Sequence, residues 1–444
     1  MKRICFLIVY IPLQEFFLKL LPLSDELYFL ARQLPDLIVV ALFLEIAACR
    51  LLAGGRLPSL GGPGYFLAAF LGWALIQPLI LSLFDHHVGA SNVIEVFVLL
   101  RFTLLLYIMV WLRPTERQVT FILRLVFISL YIQLALGVAQ ALGGIAVRDF
   151  LAARNYTNTL TGFEKSFTGA RVEGLNDIAG SFGDTIGYAY FLLIGLFLYI
   201  RVPRRFPKSI VVGSLALVLI YLSGSKTVFL VGLVGVLLFA MRHARLPVRF
   251  YVFGCVMPAL VAILPFVAAA LDQGEYEYSS ITALFRRETI QVLLNQRLGL
   301  VVFFLPELVA SGDVILGLGA DRVAIMDVVA QEYPSVPYVL LAVFDQIFED
   351  LYWLALLAYY GVIGLLTFAM FLYSSYRKAL PEFPVSSGLH NSIIAILPYL
   401  FWSTVAFNFL NQCLEVRGFS FYYWLILGIS ISLTKDARRS LLPG

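Results

Sequence analysis

The chain contains a long succession of apolar segments, each close to the length that a helix needs to cross a lipid bilayer. Only 14% of its 444 residues are charged, whereas roughly 25% is usual in a soluble domain. The sequence therefore predicts an all-α polytopic membrane protein with about 12 transmembrane helices, and it excludes a soluble enzyme. The predicted segments are 4–22, 34–53, 63–84, 92–112, 118–142, 178–200, 209–223, 226–241, 250–271, 350–375, 391–411 and 419–434.

Lysine and arginine residues are concentrated in alternate short loops between these segments. They are Lys2, Arg3, Arg50, Arg56, Arg113, Arg117, Arg201, Arg204, Arg205, Lys208, Arg242, Arg245, Arg249, Arg377, Lys378, Lys435, Arg438 and Arg439. The opposite short loops hold few, namely Lys19, Arg32, Lys226 and Arg417. Because cytoplasmic loops carry the excess of basic residues, we predict that both termini are cytoplasmic. This placement also accounts for the net charge of +4 without a nucleic-acid partner.

Two long loops divide the membrane-spanning part and fall on the outer, non-cytoplasmic side. The predicted order is N-terminal transmembrane helices in 1–142, an outer loop in 143–177, central transmembrane helices in 178–271, a second outer loop in 272–349, and C-terminal transmembrane helices in 350–444. Loops of this length in a compact protein usually carry function. The second loop has apolar residues at helical spacing, which predicts helices that lie at the membrane interface or cap the bundle.

Outside the membrane, charged residues gather in four stretches. The first is GARVEGLNDIAGSFGD, which contains Arg171, and the second is SGSKT, in which Lys226 begins the eighth apolar segment. The third contains Arg297 and ends in ILGLGADR, and the fourth is FDQIFED, which ends in Glu349 and Asp350. Cations hold phosphate groups and a carboxylate takes a proton. A set of both on one membrane face therefore suits an anionic substrate that needs a base.

Each of these residues also has a simpler interpretation. An acid is favourable at a helix N-terminus without any catalytic role, and this suffices for Asp350. Lys226 suits a turn residue that extends its amine to lipid headgroups, although a lysine at a helix start also forms an anion site with the free N–H groups. Arg171 and Arg297 suit contacts to lipid phosphate as well as to a substrate. The residues alone leave these alternatives open.

Within the apolar segments, one arginine stands out. Arg101 falls in the fourth segment and is predicted to face the bundle interior, with Glu95 or Glu45 as candidate partners. A structural ion pair and a substrate contact fit it equally well.

The histidines and cysteines do not form a metal-binding pattern. His86 and His87 are adjacent, so they point in different directions on a helix, and the four cysteines form no CxxC motif. We therefore predict no metal site and no cofactor.

The four charged stretches, in this order, resemble motifs of the O-antigen polymerase and O-antigen ligase group (Wzy-type polysaccharide polymerases and their ligase relatives). RVEGLNDIAGSFG resembles R-x-x-G-x-x-x-(N/D)-x-x-(G/A), and LSGSKT resembles S-G-S-R-(G/T), with Lys226 where arginine is usual. RLGLVVFFLPELVASGDVILGLGAD resembles an outer-loop segment, R…(L/F)-G-x-G, with Arg297 on the family arginine. EDLYWLALLAYYGVIGLL resembles D-x-x-(Y/W)-L-x-x-L-x-x-x-G-x-x-G, with Asp350 where ligases usually carry histidine. The resemblance covers about residues 165–370 and favours the polymerase branch.

This resemblance implies a GT-C-like helical glycosyltransferase of the bacterial inner membrane that acts on its periplasmic face. Such an enzyme joins polyprenyl-diphosphate-linked oligosaccharide repeat units, one as donor and one as acceptor, without a nucleotide sugar, metal or other cofactor. Arg171, Arg297 and Lys226 are the implied diphosphate-binding residues. Asp350, or alternatively Glu349, is the implied catalytic carboxylate that orients or deprotonates the acceptor hydroxyl. Membrane lipids and a chain-length regulator protein are expected partners.

Two other functions compete with polymerisation. An O-antigen ligase transfers finished polymer to a lipid A core, but this chain has Asp350 where ligases usually have histidine. A lipid or solute transporter fits the number of segments. Against a transporter, the sequence has no internal repeat and concentrates charge in the outer loops rather than at mid-membrane.

Overall fold

The computed structural model of the chain describes residues 1–444 except 56–58, 84–90, 152–155, 158–163, 166–177, 183, 202–205, 244–298, 339, 342–343, 345–347, 349–350, 382–387, 410–411 and 442–444. The described residues form helices and their connections, together with one antiparallel pair of two-residue strands, β1 (Tyr156–Thr157) and β2 (Glu164–Lys165). The predicted all-α class is confirmed.

The helices follow one another along the chain with mostly short connections. In chain order the first ten are α1 (Lys2–Lys19), α2 (Asp25–Arg32), α3 (Leu34–Leu52), α4 (Gly62–Ser82), α5 (Ser91–Leu100), α6 (Leu104–Leu112), α7 (Glu116–Leu151), α8 (Thr185–Arg201), α9 (Phe206–Leu222) and α10 (Lys226–His243). After residue 298 come a π-helical turn (Leu300–Phe304), α11 (Leu305–Ala310), α12 (Asp313–Leu316), α13 (Arg322–Glu332), α14 (Tyr352–Ala379), α15 (Gly388–Phe407) and α16 (Arg417–Leu441).

Every predicted apolar segment within the described residues overlaps a helix, and the segment 250–271 lies outside them. The predicted single segment 92–112 is instead two helices, α5 and α6, separated by a turn at residues 101–103, and the helix of segment 178–200 begins only at Thr185. Helix α7 continues to Leu151, past the predicted loop boundary at 143. The protein is a multi-pass membrane protein by the length and apolar composition of its helices. Within the described residues, five stretches meet both criteria, namely Gly62–Ser82, Glu95–Leu112, Glu116–Gly143, Tyr352–Ala379 and Gly388–Phe407.

The ends of the helices alternate between two faces of the bundle. On one face the Lys435 amine donates to the Ser59 carbonyl (3.2 Å), which joins the end of α16 to the loop between α3 and α4. On the other face Arg417, at the start of α16, donates to the Arg32 carbonyl at the end of α2 (2.6 Å). We call these the tail face (Ser59 and Lys435) and the loop face (Arg32 and Arg417). The bias of basic residues predicts that the tail face is cytoplasmic.

Helix α8 lies at the centre of the bundle. Its residues Gly187–Tyr199 are all buried, and it packs against α7, α9, α10, α15 and α16. A helix that is apolar on every side lies either in a protein core or in lipid, and α8 lies in the core of the bundle. Gly195 permits the close approach of α7, because a Cβ there would lie 2.6 Å from a methyl carbon of Leu130. The Tyr190 ring packs edge-on against Phe407 of α15, with ring centroids 4.8 Å apart.

Helix α14, which the sequence predicted as one continuous span, is broken at Gly361. This residue has φ 65° and ψ −174°, a conformation that is essentially restricted to glycine. The break separates the carbonyl groups of Ala358, Tyr359 and Tyr360 from the N–H groups that would pair with them in a regular helix. Because an unpaired carbonyl is costly in hydrocarbon, other donors have to reach these groups.

The first donors come from the second outer loop, from the stretch Gly317–Gly319 that we call the GLG segment. The Leu318 N–H donates to the Ala358 carbonyl (2.7 Å), and the Gly319 N–H donates to the Tyr359 carbonyl (3.1 Å). Both glycines of the segment have positive φ, 81° and 90°. The GLG segment is therefore a turn that docks on the broken helix.

Two side chains of α4 supply the remaining donors. The Gln77 amide donates to the Tyr359 carbonyl (2.6 Å) and to the Leu316 carbonyl at the end of α12 (2.7 Å). The Trp73 indole N–H donates to the Tyr360 carbonyl (2.6 Å). Gln77 is completely buried, so the break is surrounded by protein rather than lipid. Part of the second outer loop therefore reaches into the bundle, where the sequence predicted only an interfacial or capping position.

We expect Gly361→Ala to destabilise the protein by roughly 3 kcal/mol, because alanine is strained at positive φ and its Cβ would lie 2.2 Å from the Ile315 carbonyl oxygen. The measurement is the Tm of the purified protein in detergent. Gly72→Ala in α4 is the matched control, since a Cβ at Gly72 meets nothing within 4 Å. A Tm for Gly361→Ala equal to that of the control would show that the break does not require glycine.

Candidate functional site

The residues that the sequence singled out lie mostly outside the described residues. This is so for Arg171, Arg297, Glu349 and Asp350. Lys226 is described as the first residue of α10, directly after the turn Ser223–Ser225, but its side chain is not described. The roles of these residues in diphosphate binding and catalysis therefore stay predictions. The described residues that are close to them in the sequence show where parts of the charged stretches lie.

The first and second charged stretches meet at the loop face. The Ile178 N–H, at the end of the first stretch, donates to the Leu222 carbonyl at the end of α9 (3.3 Å). Leu222 directly precedes the turn that leads to Lys226. The serines of that turn, Ser223 and Ser225, are buried. The structure thus joins the end of the Arg171 stretch to the helix start that carries Lys226.

Two intramembrane glutamines of α7 position the end of the first stretch. The Gln140 side chain accepts from the Gly180 N–H (2.8 Å) and donates to the Gly180 carbonyl (3.0 Å). The Gln133 amide donates to the Ser181 hydroxyl (2.6 Å). Sequence reasoning missed this role, although a glutamine inside an apolar segment is a signal of a buried polar contact.

The start of α8 follows this fixed segment. The Asp184 carboxylate accepts from the N–H groups of Ile186 (3.0 Å) and Gly187 (3.0 Å), two of the unpaired donors that begin a helix. Asp184 therefore acts as the N-terminal cap that directs the chain from the first stretch into the central helix.

The third and fourth stretches also meet. The GLG segment of the third stretch is bonded to the backbone of α14, as described above. Aromatic contacts also join the two stretches. Phe304 of the π-helical turn packs edge-on against Phe344 and Phe348, with ring centroids 5.6 Å and 5.7 Å apart. Phe348 in turn packs against Tyr359 of α14 (5.6 Å). Arg297 and Asp350 are thus near in sequence to segments that touch.

The loop between α15 and α16 lies beside the first turns of α14 and α8. At its start, the Asn408 carbonyl accepts from the Trp353 N–H in the first turn of α14 (3.1 Å). Just after it, a Cβ at Gly418 would lie 2.8 Å from the Gly187 carbonyl oxygen in the first turn of α8. Residues that shortly follow the first and the fourth stretches, Gly187 and Trp353, therefore contact the two ends of one loop. Whether the charged side chains themselves converge there stays a prediction.

A buried ion pair network lies next to this loop, and it contains Arg101. Asp36 of α3, of which only 1% is exposed, accepts from Arg101 (3.2 Å) and from Arg417 (3.0 Å). Arg101 also donates to the backbone carbonyl of Glu415. The predicted interior position of Arg101 is confirmed, with Asp36 as its ion-pair partner. Of the candidates, Glu45 instead forms an exposed pair with Arg3.

A second ion pair joins the network. Glu15 of α1 accepts from Arg32 (2.5 Å) and from the Tyr28 hydroxyl (2.7 Å). Arg417 links the two pairs, because it contacts both Asp36 and the Arg32 carbonyl. We call Glu15, Arg32, Asp36, Arg101 and Arg417 the ion cluster. Its three arginines outnumber its two acids, so the cluster adds positive charge to the loop face, where anionic groups are attracted.

Sequence reasoning had counted Arg32 and Arg417 only as rare basic residues of the outer loops, and it did not connect Asp36 with them. An acid in the first turn of an apolar helix was the available signal, because such a residue is costly unless paired. The pairing itself required the tertiary structure, since Asp36 and Arg417 lie at opposite ends of the chain.

The cysteine of the loop between α15 and α16 is structural. Burial raises the pKa of the Cys413 thiol, so the thiol stays protonated at neutral pH. It donates to the Asn408 side-chain oxygen (3.1 Å). Among the described residues, no group of three or more histidine, cysteine, aspartate or glutamate side chains is arranged to hold a metal ion. His86 and His87 lie outside the described residues.

We expect Asp36→Asn to destabilise the protein by about 3–5 kcal/mol, because it leaves two buried arginines without their acid. The measurement is denaturant unfolding of the purified protein in detergent. Glu45→Gln is the matched control: it breaks a pair whose side chains are each 53% exposed, and such pairs contribute about 1 kcal/mol at most. Similar stability of the two variants would mean that the ion cluster does not hold the bundle together.

No protein-family model matches the chain, and no curated protein is significantly similar to it. The functional interpretation therefore depends on the chain's own residues. These are the GLG segment docked on α14, the ion cluster, and the charged stretches of the outer loops.

Proposed function

We propose that the protein is a membrane glycosyltransferase that polymerises polyprenyl-diphosphate-linked oligosaccharide repeat units at the loop face. The observation that carries the proposal is the docking of the GLG segment on the break in α14, through N–H to carbonyl bonds of 2.7 Å and 3.1 Å. These elements belong to the third and fourth stretches that resemble the polymerase group. The proposed architecture is GT-C-like, with about 12 spans in the bacterial inner membrane and the loop face in the periplasm.

The broken helix supports a functional role for this region. Strained backbone costs roughly 1–3 kcal/mol per residue and clusters at active sites. The first half of α14, residues 352–360, begins directly after Glu349 and Asp350. The contacts at the break hold the C-terminal end of this half-helix, and its other end follows Glu349 and Asp350 in the sequence.

In the proposed reaction, a hydroxyl group of the acceptor sugar attacks the anomeric carbon of the donor repeat unit. A bond forms between the acceptor oxygen and that carbon, and the bond from the carbon to the diphosphate oxygen breaks. Asp350, or alternatively Glu349, takes the hydroxyl proton. Arg171, Arg297 and Lys226 bind the departing diphosphate and stabilise its growing negative charge, which is usually the largest catalytic contribution.

A lipid or solute transporter is the second candidate, because discontinuous helices line the substrate sites of many transporters. In those proteins the freed carbonyl groups coordinate an ion. Here the carbonyl groups of Ala358, Tyr359 and Tyr360 all accept hydrogen bonds from the protein. The break thus acts as a structural joint, which favours the enzyme. An O-antigen ligase is disfavoured because Asp350 stands where ligases usually carry histidine.

We expect Asp350→Asn to lower the extension of a lipid-linked repeat unit by about 10²–10⁴-fold, because the amide cannot take the proton. The assay uses purified protein in detergent without any ion gradient, and the product ladder is resolved by gel electrophoresis. Full activity of this variant would remove Asp350 from the mechanism. Absence of extension by the unmodified protein, together with gradient-driven uptake in vesicles, would favour the transporter.

In the same assay, Arg171→Ala and Arg297→Ala should each lower the rate by about 10²–10³-fold, because each removes a charge that stabilises the leaving diphosphate. Arg287→Ala is the matched control, since Arg287 belongs to the same outer loop as Arg297 and is expected to contact lipid or solvent. Equal, slight losses in all three variants would argue against diphosphate binding by Arg171 and Arg297.

A further inference from the structure

Two tyrosine hydroxyl groups in the first half of α14 are buried without a hydrogen bond in the described part of the chain. They belong to Tyr352 and Tyr360, each of which is 2% exposed. Buried hydroxyl groups nearly always have a partner, because leaving one unpaired costs free energy. These hydroxyls therefore point to a ligand with hydrogen-bonding groups.

Two carboxylates from other elements accompany these tyrosines. Glu95 of α5 and Glu415 of the loop between α15 and α16 both lie close enough to Tyr352 and Tyr360 to interact with them electrostatically. Both carboxylate residues are half-buried, whereas both tyrosines are buried. The acids therefore form the accessible side of the group. We call Glu95, Tyr352, Tyr360 and Glu415 the Tyr–Glu cluster.

More unused hydrogen-bonding capacity lies in the loop that carries Glu415. The Asn408 side-chain nitrogen and the Gln412 side-chain oxygen are buried, and neither has a hydrogen-bond partner in the described residues. The Nε of Arg101 is also buried and has no hydrogen-bond partner in the described residues. The guanidinium of Arg101 contacts the Glu415 carbonyl. Donors and acceptors are thus mixed here, as a ligand with several hydroxyl groups requires, because each hydroxyl both donates and accepts.

An aromatic surface borders the Tyr–Glu cluster. Trp353 directly follows Tyr352, is half-buried, and is held in place by a bond from its indole N–H to the Val405 carbonyl (3.0 Å). The ring of Phe409, which is 58% exposed, lies 6.4 Å from the Trp353 ring. Aromatic side chains combined with a few polar groups are typical of small-molecule sites.

We propose that the Tyr–Glu cluster and Trp353 bind the hydroxyl groups of the acceptor sugar, an inference that rests on the proposed function. Glu95 and Glu415 accept from sugar hydroxyls, and the Tyr352 and Tyr360 hydroxyls donate to sugar oxygens. The two carboxylates favour a neutral sugar over the donor diphosphate as the ligand of this cluster. Tyr352 follows Asp350 by two positions in the sequence, which favours an acceptor site near the proposed base.

The test uses the full-length protein in lipid nanodiscs with two probes. The donor is the polyprenyl-diphosphate-linked repeat unit, and the acceptor is the free repeat-unit oligosaccharide without the diphosphate. We expect Glu415→Gln and Tyr352→Phe each to raise the KM for the acceptor about tenfold, which corresponds to one lost hydrogen bond of about 1.4 kcal/mol. The KM for the donor should stay within about twofold. Glu45→Gln and Tyr376→Phe, which alter the same residue types outside the cluster, should change neither KM.

A binding measurement separates this inference from the proposed function. The free oligosaccharide should change the tryptophan fluorescence of the unmodified protein, and Trp353→Phe should remove that change. If the protein binds the oligosaccharide but does not extend it, the polymerase proposal fails and the sugar site stands. If extension occurs but both cluster variants keep the acceptor KM, or raise only the donor KM, the sugar site is overturned. An absence of oligosaccharide binding up to millimolar concentration also overturns it.

Discussion

A lipid bilayer offers no hydrogen-bonding partners to the backbone, and the architecture around Gly361 depends on this constraint. Once α14 is broken there, three carbonyl groups need donors from elsewhere in the protein. The GLG segment and the side chains of Trp73 and Gln77 provide them, so α4, α14 and the second outer loop become one unit. A loop that would otherwise lie on the membrane surface is thereby held against the end of the first half of α14.

The ion cluster performs a comparable task at the loop face with charges instead of backbone groups. Asp36 connects α3 to Arg101, between α5 and α6, and to Arg417 at the start of α16. Helices in a membrane gain little from the hydrophobic effect when they associate, so close packing and polar contacts have to hold them together. The ion cluster therefore joins the beginning and the end of the chain beside the loop between α15 and α16.

Hydrophobicity alone was sufficient to predict an all-helical protein with several membrane-spanning helices, because an apolar segment of this length has few alternatives to a helix in lipid. The tight turn before Lys226 and the glycine turn of the GLG segment were also predictable, since their local sequences determine them. The break in α14 could not be predicted, because glycine is common and tolerated in membrane helices. Only the contacts of Gly361 with another segment reveal the break. The same holds for Asp36, whose two arginine partners are distant in sequence. The charged residues of the proposed site lie outside the described part, so for them the prediction goes no further than the position of their neighbours.

Helix α8 has a consequence for how the protein is made. In the finished bundle it is surrounded by protein, yet α15 and α16, two of the helices that cover it, are synthesised long after it. Its apolar surface must therefore face lipid during biogenesis and exchange lipid for protein only when the C-terminal helices arrive. Its hydrophobicity serves first for insertion into the bilayer and later for assembly, and a ribosome that stalls before α15 leaves a bundle whose centre is open to the membrane.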